Sequence, residues 1–274
     1  MRMRTVAVVG AGLLALTAGP SSAAGVANVQ VSGTSAGATV SLAGGLEADL
    51  TIGFEQVLGL SAESLGLSAA SVSPLSLAGR LPAGVEAVAA FPVVVKIEPP
   101  AAGPLSFSGL ATVELHTHNL TFAPATPLRL FRSRAGGPFV DVTESMGMGS
   151  YRVRGSTGGF SEFAILADLR QPDAVIVVKF DALQSLLDAA ALGEPLAGAL
   201  QSRLDAAYAA WQSASYVVAA QETAAFADLV AAHAGNEISD VWRSAGDLDN
   251  PAGELRAAAA SLRFSLNLRA SSGI

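Results

Sequence analysis

Cysteine is absent from the 274 residues. That excludes disulfides, a thiol nucleophile, a cysteine-based zinc site and a lipid-anchored N-terminal cysteine, and it leaves burial and secondary structure to carry stability. Histidine occurs three times, so a histidine-based triad has to draw on His116, His118 or His233. Basic residues are few, 16 Lys and Arg against 23 Asp and Glu. An acidic chain is a poor match for nucleic acid or an anionic membrane surface. Beyond the N-terminal segment no uninterrupted apolar run reaches the roughly 18 residues that a bilayer demands, so no membrane span is expected. The C-terminus carries no hydrophobic anchor, and no Asp or Glu precedes Glu47.

Without an early carboxylate, the start of the chain does not read as a dinucleotide-binding turn. Gly10, Gly12 and Ala15 have G-x-G-x-x-A spacing. That turn needs a helix after it and an acidic residue about 20 positions on. Here Gly19-Pro20 would break the helix. Export accounts for every part: Arg2 and Arg4 are a positive start, Val6 to Ala18 an apolar stretch, and Ser21 to Ala24 a small-residue cleavage region. The expectation is a signal peptide over residues 1–24, cleaved after Ala23 or Ala24, and a mature protein in the periplasm or outside the cell. Loss of Arg2 and Arg4 leaves 14 basic residues against 23 acidic ones, a net charge of −9. The remaining length suffices for one large domain or two small ones.

The pattern changes character near residue 172. Before it, short stretches alternate with period two between Gly, Pro and Ser breakers, as in "GATVSLAG" (37–44), "EADLTIGFE" (47–55) and "LATVELHTH" (110–118). "PLRLFRSRAGGPFVDVT" (127–143) reads as a hairpin, and "GSYRVRGSTGGFSEFAIL" (149–166) as another. "LGLSAESLGLSAAS" (58–71) reads as a loop with a helical turn. "AVIVVKFDAL" (174–183) crosses the boundary, with helical spacing starting at Leu183, Leu186 and Leu187. Leu196, Leu200, Leu204, Ala207 and Trp211 then form one stripe. Gly235 suits a helix end, and Asn250-Pro251 a helix start. The expected fold class is α+β: an antiparallel β-sandwich over 26–172 followed by a small helical bundle over 173–270.

Two local resemblances accompany this pattern. Residues 192–239 resemble FIMAH, a small helical module found attached to exported bacterial enzymes and surface proteins. Phe226, Ala232, His233, Gly235 and Ile238 match its pattern, while Ala227 stands where the pattern has Ile. "GGFSEFAIL" (158–166) is similar to the closing strand of exported bacterial β-sandwich domains. Both imply an exported protein, and neither supplies a catalytic residue.

Several residues invite a chemical reading. Glu114, His116 and His118 alternate along one strand and so share a face. Two imidazoles and a carboxylate at that spacing can chelate zinc, iron or copper. The plainer reading is a solvated strand face with Val113, Leu115 and Thr117 turned inward. Arg129, Arg132, Arg134, Arg152 and Arg154 fall on neighbouring hairpins and make a candidate patch for a polyanion or acidic partner. The alternative pairs them with Asp141 and Glu144. Gly33–Gly37 spells G-x-S-x-G, but strand rather than helix follows it, which fits a hairpin turn better than a nucleophile elbow. His233 suits a helix C-terminus. Asp247–Asn250 fits a capping turn better than a calcium loop. Asn119-Leu120-Thr121 matches a glycosylation triplet. Tyr208, Trp211 and Tyr216 read as core.

The function expected from these residues is that of an exported, non-catalytic envelope or extracellular interaction module. Its partner would be a protein or polysaccharide. One alternative is a metal-binding protein or metal-dependent enzyme using Glu114, His116 and His118. Another is a carrier of an apolar ligand within the sandwich. The cofactor these residues admit is a divalent transition metal.

Overall fold

The computed structural model describes residues 25–134 and 136–271. Residues 1–24, read above as a signal peptide with its glycine spacing and expected cleavage positions, lie outside them. Three strands lead: β1 (Val26–Ser32), β2 (Ser35–Leu42) and β3 (Leu46–Leu58). One-turn helix α1 (Ala62–Leu65) precedes β4 (Leu67–Ser71), and α2 (Pro74–Leu77) precedes β5 (Val85–Ala87) and β6 (Val93–Ile97). The 16-residue β7 (Ser106–Thr121) is followed by β8 (Leu128–Ser133), β9 (Phe139–Asp141) and β10 (Thr143–Gly147). β11 (Ser150–Thr157) and β12 (Glu162–Asp168) come next. Helices α3 (Pro172–Ala189), α4 (Leu196–Gln212) and α5 (Tyr216–His233) follow, then β13 (Val241–Arg243) and α6 (Pro251–Ser271).

The strands form two antiparallel sheets. One has the order β1-β2-β3-β7-β11-β10, with β13 also on β7; the other has the order β4-β6-β12-β8-β9, with β5 on β12. Period-two alternation turns Leu50, Ile52, Val113, Leu115, Tyr151 and Val153 of the first sheet inward. They share one core with Val95, Ile97, Leu130, Phe163 and Ile165 of the second. The second sheet is buried on its other face too. Val94, Phe131, Ala164 and Leu166 pack there with Leu77, Val85 and Phe139. Burial on both faces explains the apolar runs Val93–Val95 of β6 and Phe163–Ala167 of β12. With helices after the sheets, the fold is α+β, as the change of period predicts.

Four details differ from the sequence reading. Residues 67–71, within the stretch read as a loop, form β4 and pair with β6. Residues 149–166 are not a hairpin. β11 pairs with β10 and β7 in the first sheet, whereas β12 sits in the middle of the second, so Gly158-Gly159 carries the chain between sheets. An apolar strand buried on both faces needs a central position, which a hairpin with β11 would deny it. Residues 174–183 are helical throughout, because Pro172 opens α3 and Ile176, Phe180, Leu183 and Leu187 bury one stripe. Lastly, β13 lies within the segment expected to be helical. Val241, Trp242 and Arg243 pair with Ser108, Phe107 and Ser106 of β7, beyond the reach of β11. Trp242 stacks on Phe107 at 5.4 Å, which is the burial that holds this short strand.

The helices bury Phe180, Leu200, Phe226, Leu255 and Leu262 in a second core. Helix α6 belongs to both halves. It packs on α3 and α5 and also on β7, β10 and β11. Its start follows from Asn250-Pro251, where Asn250 Oδ1 accepts from the Gly253 N–H at 2.6 Å. Asn250 Nδ2 donates to the Gly109 carbonyl of β7 at 2.7 Å. Ion pairs bridge the same junction. Glu254 of α6 meets Arg132 of β8, and Lys179 of α3 meets Asp141 of β9 at 2.7 Å. Burial pushes the Lys179 ammonium below its usual value, and Asp141 only partly opposes this.

Candidate metal centre

The outward face of the first sheet is polar by alternation, and the strand register decides which polar groups meet. Across β3 and β7, Asp49 lies opposite His116 and Thr51 opposite Glu114. Across β7 and β11, Arg152 lies opposite His116 and Arg154 opposite Glu114. Each of the two β7 side chains therefore has a neighbour on both sides, close enough to interact.

His116 is drawn to Asp49. Its Nδ1 lies 3.6 Å from Asp49 Oδ2, and its Nε2 is 3.0 Å from Ser150 Oγ. The His118 ring is beside it, 4.8 Å between centroids. Ligand atoms of Asp49, His116 and His118 all lie within 4.8 Å of one another. Asp49 and His118 are exposed and His116 is half-buried. Glu114 shares the histidines' face, as alternation predicts, but its carboxylate is taken by arginine. Arg154 donates to it from Nη2 at 3.1 Å and Nε at 3.3 Å, and Arg152 Nε stands 3.5 Å away. The three-residue group on this face is thus Asp49, His116 and His118, with Glu114 outside it. The alternation of "EADLTIGFE" turns Asp49 outward, but only the β3–β7 register brings it to His116.

The five arginines do not form one patch. Arg132 and Arg134 converge on Glu254, and Arg132 is buried there. Arg152 and Arg154 flank Glu114. Arg129 donates from Nη1 to the carbonyls of Thr126 at 2.8 Å and Leu128 at 2.7 Å. Their carboxylate partners are also not those expected, because Asp141 is taken by Lys179 and Glu144 accepts from Ser156 Oγ. For Glu254, burial alone would raise the carboxyl; the Arg132 charge and hydrogen bonds, with Arg134, overcome this and hold it below its usual value.

The remaining sequence candidates have local roles. Gly33 takes φ +57° in the β1–β2 turn, and Ser35 Oγ donates to the Ser32 carbonyl at 2.9 Å. His233 ends α5 and bonds Glu237 through Nδ1. Asp247 pairs with Arg243 at 2.9 Å. The Asn119 amide is engaged at both ends: Oδ1 accepts from Glu47 N–H at 2.8 Å, and Nδ2 donates to the Gly45 carbonyl at 2.9 Å. Trp211 is half-buried and packs on the helical core, while Tyr208 is 37 % exposed. Tyr216 lies under the Arg269 guanidinium, 5.0 Å from its ring centroid. No described helix is long and apolar enough to cross a membrane.

No curated protein matches the chain. A family model does, over residues 11–270, and the chain belongs to that family, a family of unknown function designated DUF6689.

Proposed function

We propose that the protein is an exported, non-catalytic binding module that takes a divalent transition metal at Asp49, His116 and His118. The observation that carries this reading is the convergence of two imidazoles and a carboxylate, ligand atoms within 4.8 Å, on one open sheet face. Around a tetrahedral zinc, ligand atoms stand about 3.4 Å apart. Closing the difference asks roughly an ångström of Asp49 and His118, whose exposed side chains can change rotamer. His116 would coordinate through Nδ1, the nitrogen nearer Asp49. Ser150 would then hold its Nε2 and fix the ring, as outer partners of metal-bound histidines do. Imidazole with carboxylate suits zinc, copper or iron(II). Three protein ligands leave a position for a donor from a protein or polysaccharide partner.

Export is supported by the charged, apolar and small-residue order of residues 1–24 and by the likeness of residues 192–239 to FIMAH. Binding rather than catalysis is supported by the engagement of Ser35 in its own turn and of Glu114 by two arginines. The test is thermal unfolding with and without Zn²⁺, Cu²⁺, Fe²⁺ and Mn²⁺. A metal at 100 times its Kd adds about 2.7 kcal/mol, and each kcal/mol moves the Tm of a chain this size by roughly 2–4 °C. The double variant His116→Ala/His118→Ala should lose the shift. A Tm that no metal moves would sink the metal reading.

A further inference from the structure

A groove of about 420 Å³ lies between β9 and the helices α3 and α6. Pro138, Val140 and Val142 line one wall, and Ala182, Leu186 and Ala258 the other. The groove is separate from the space between the sheets, where the alternative of an apolar-ligand carrier would put its cavity and where core side chains pack. Polar groups line it too. Lys179 is bonded to Asp141, Ser261 and Ser265, and Glu254 to Arg132 and Arg134. Three cations face two carboxylates, which leaves one positive charge in excess. Buried Arg132 keeps an Nε–H with no hydrogen-bond partner among the described residues, and Asp141 Oδ2 has none beyond its ion pair with Lys179. Arg134 is the accessible cation, its side chain 50 % exposed. Buried ion pairs are poor fasteners, because desolvation consumes most of their attraction. Apolar walls with a few convergent polar groups, in a volume within roughly 300–1,000 Å³, are the makeup of a small-molecule site.

We infer that this groove binds a single-chain anionic amphiphile, its alkyl chain between Val140, Val142 and Leu186 and its carboxylate at Arg134. The excess positive charge selects the sign of the head, and the apolar walls select the chain. No residue of the Asp49–His116–His118 group takes part, so either site can fail without the other.

Calorimetric titration with decanoate, dodecanoate and dodecanol tests this. Dodecanoate should bind saturably below its micelle concentration. It should bind about tenfold more tightly than decanoate, since each buried methylene contributes roughly three- to fourfold. Arg134→Gln should weaken dodecanoate about tenfold and leave dodecanol unchanged; Glu254 keeps Arg132 as partner, so the fold holds. Ala182→Phe, at an exposed position of α3, should fill the groove and abolish both without moving the Tm. Absence of saturable binding would overturn the inference, and so would binding that Ala182→Phe leaves intact. Association with anionic phospholipid vesicles that this variant does not touch would place the affinity on a membrane surface and overturn it equally.

Discussion

Arg132 on β8 and Glu254 on α6 form a two-pronged ion pair, Nη1–Oε1 2.9 Å and Nη2–Oε2 2.7 Å, with both residues buried. The pair joins the second sheet to a helix that also lies on the first sheet. Glu254→Ala strands the Arg132 charge in the junction. Removing one partner of a buried pair costs about 3–5 kcal/mol. For a chain of this size that lowers the Tm by roughly 10 °C. Replacing both, as Arg132→Met/Glu254→Leu, should recover most of the loss, because no charge is left buried. Urea midpoints of the two variants measure this. Equal losses in single and double variants would show that the pairing is not the cause.

Acid should weaken the same junction and the second sheet. The carboxyls of Glu55, Glu162 and Glu254 are all held below their usual value. For Glu55 the leading cause is its hydrogen bond from Arg256. For Glu162, burial raises the value, but bonds from Lys96 and Arg80 outweigh it. A lowered folded value means that the unfolded chain takes up protons first as pH falls. The stabilisation is therefore complete above the unfolded value of about 4.3 and is lost as pH drops through the folded values. Stability measured by urea unfolding should be flat from pH 7 to about 5 and should fall steeply below 4. Glu254→Gln should start lower and fall less. An unchanged slope would remove Glu254 from this account.

The metal face separates two carboxylates that sequence alone does not rank. Asp49→Asn should weaken zinc binding about tenfold or more, since it removes one of three ligands. Glu114→Gln should leave zinc affinity within about twofold, because Arg152 and Arg154 already hold Glu114 away from the histidines. Titration against a competing chelator gives both constants. Loss at Glu114 with none at Asp49 would restore the grouping that strand alternation suggests.

What was legible follows from the range of each signal. Local patterns read well: the Gly33-Thr34 turn, the inward Val113 and Leu115, the cap at Asn250 and the end of α5 near Gly235. Pairings across distant positions did not. Glu254 is 120 positions from Arg134, so the arginines read as a surface patch when two of them pair with Glu254 of α6. Alternation placed Glu114 on the right face, but a one-residue change of register would have exchanged its neighbours. β13 has no signature in the sequence, because three residues carry no period.

The last prediction concerns the seat of α6. A Cβ on Gly158 would stand 2.5 Å from Glu254 N and 2.7 Å from Asn250 O, both backbone atoms that cannot swing aside. Gly158→Ala must therefore push the first turn of α6 away from the sheets, at a cost of about 1–3 kcal/mol. Asn250→Ala loosens the same turn from within. It removes the cap on Gly253 and leaves the Gly109 carbonyl without its donor, which together cost roughly 2–3 kcal/mol. Once α6 has been displaced by Gly158→Ala, the cap and the Gly109 contact are already weakened. The double variant should then lose at least 0.5 kcal/mol less than the two single losses combined, the mark of residues acting on one contact. Urea unfolding of the three variants gives the coupling directly. Losses that simply add would mean that the glycine and the cap seat α6 independently.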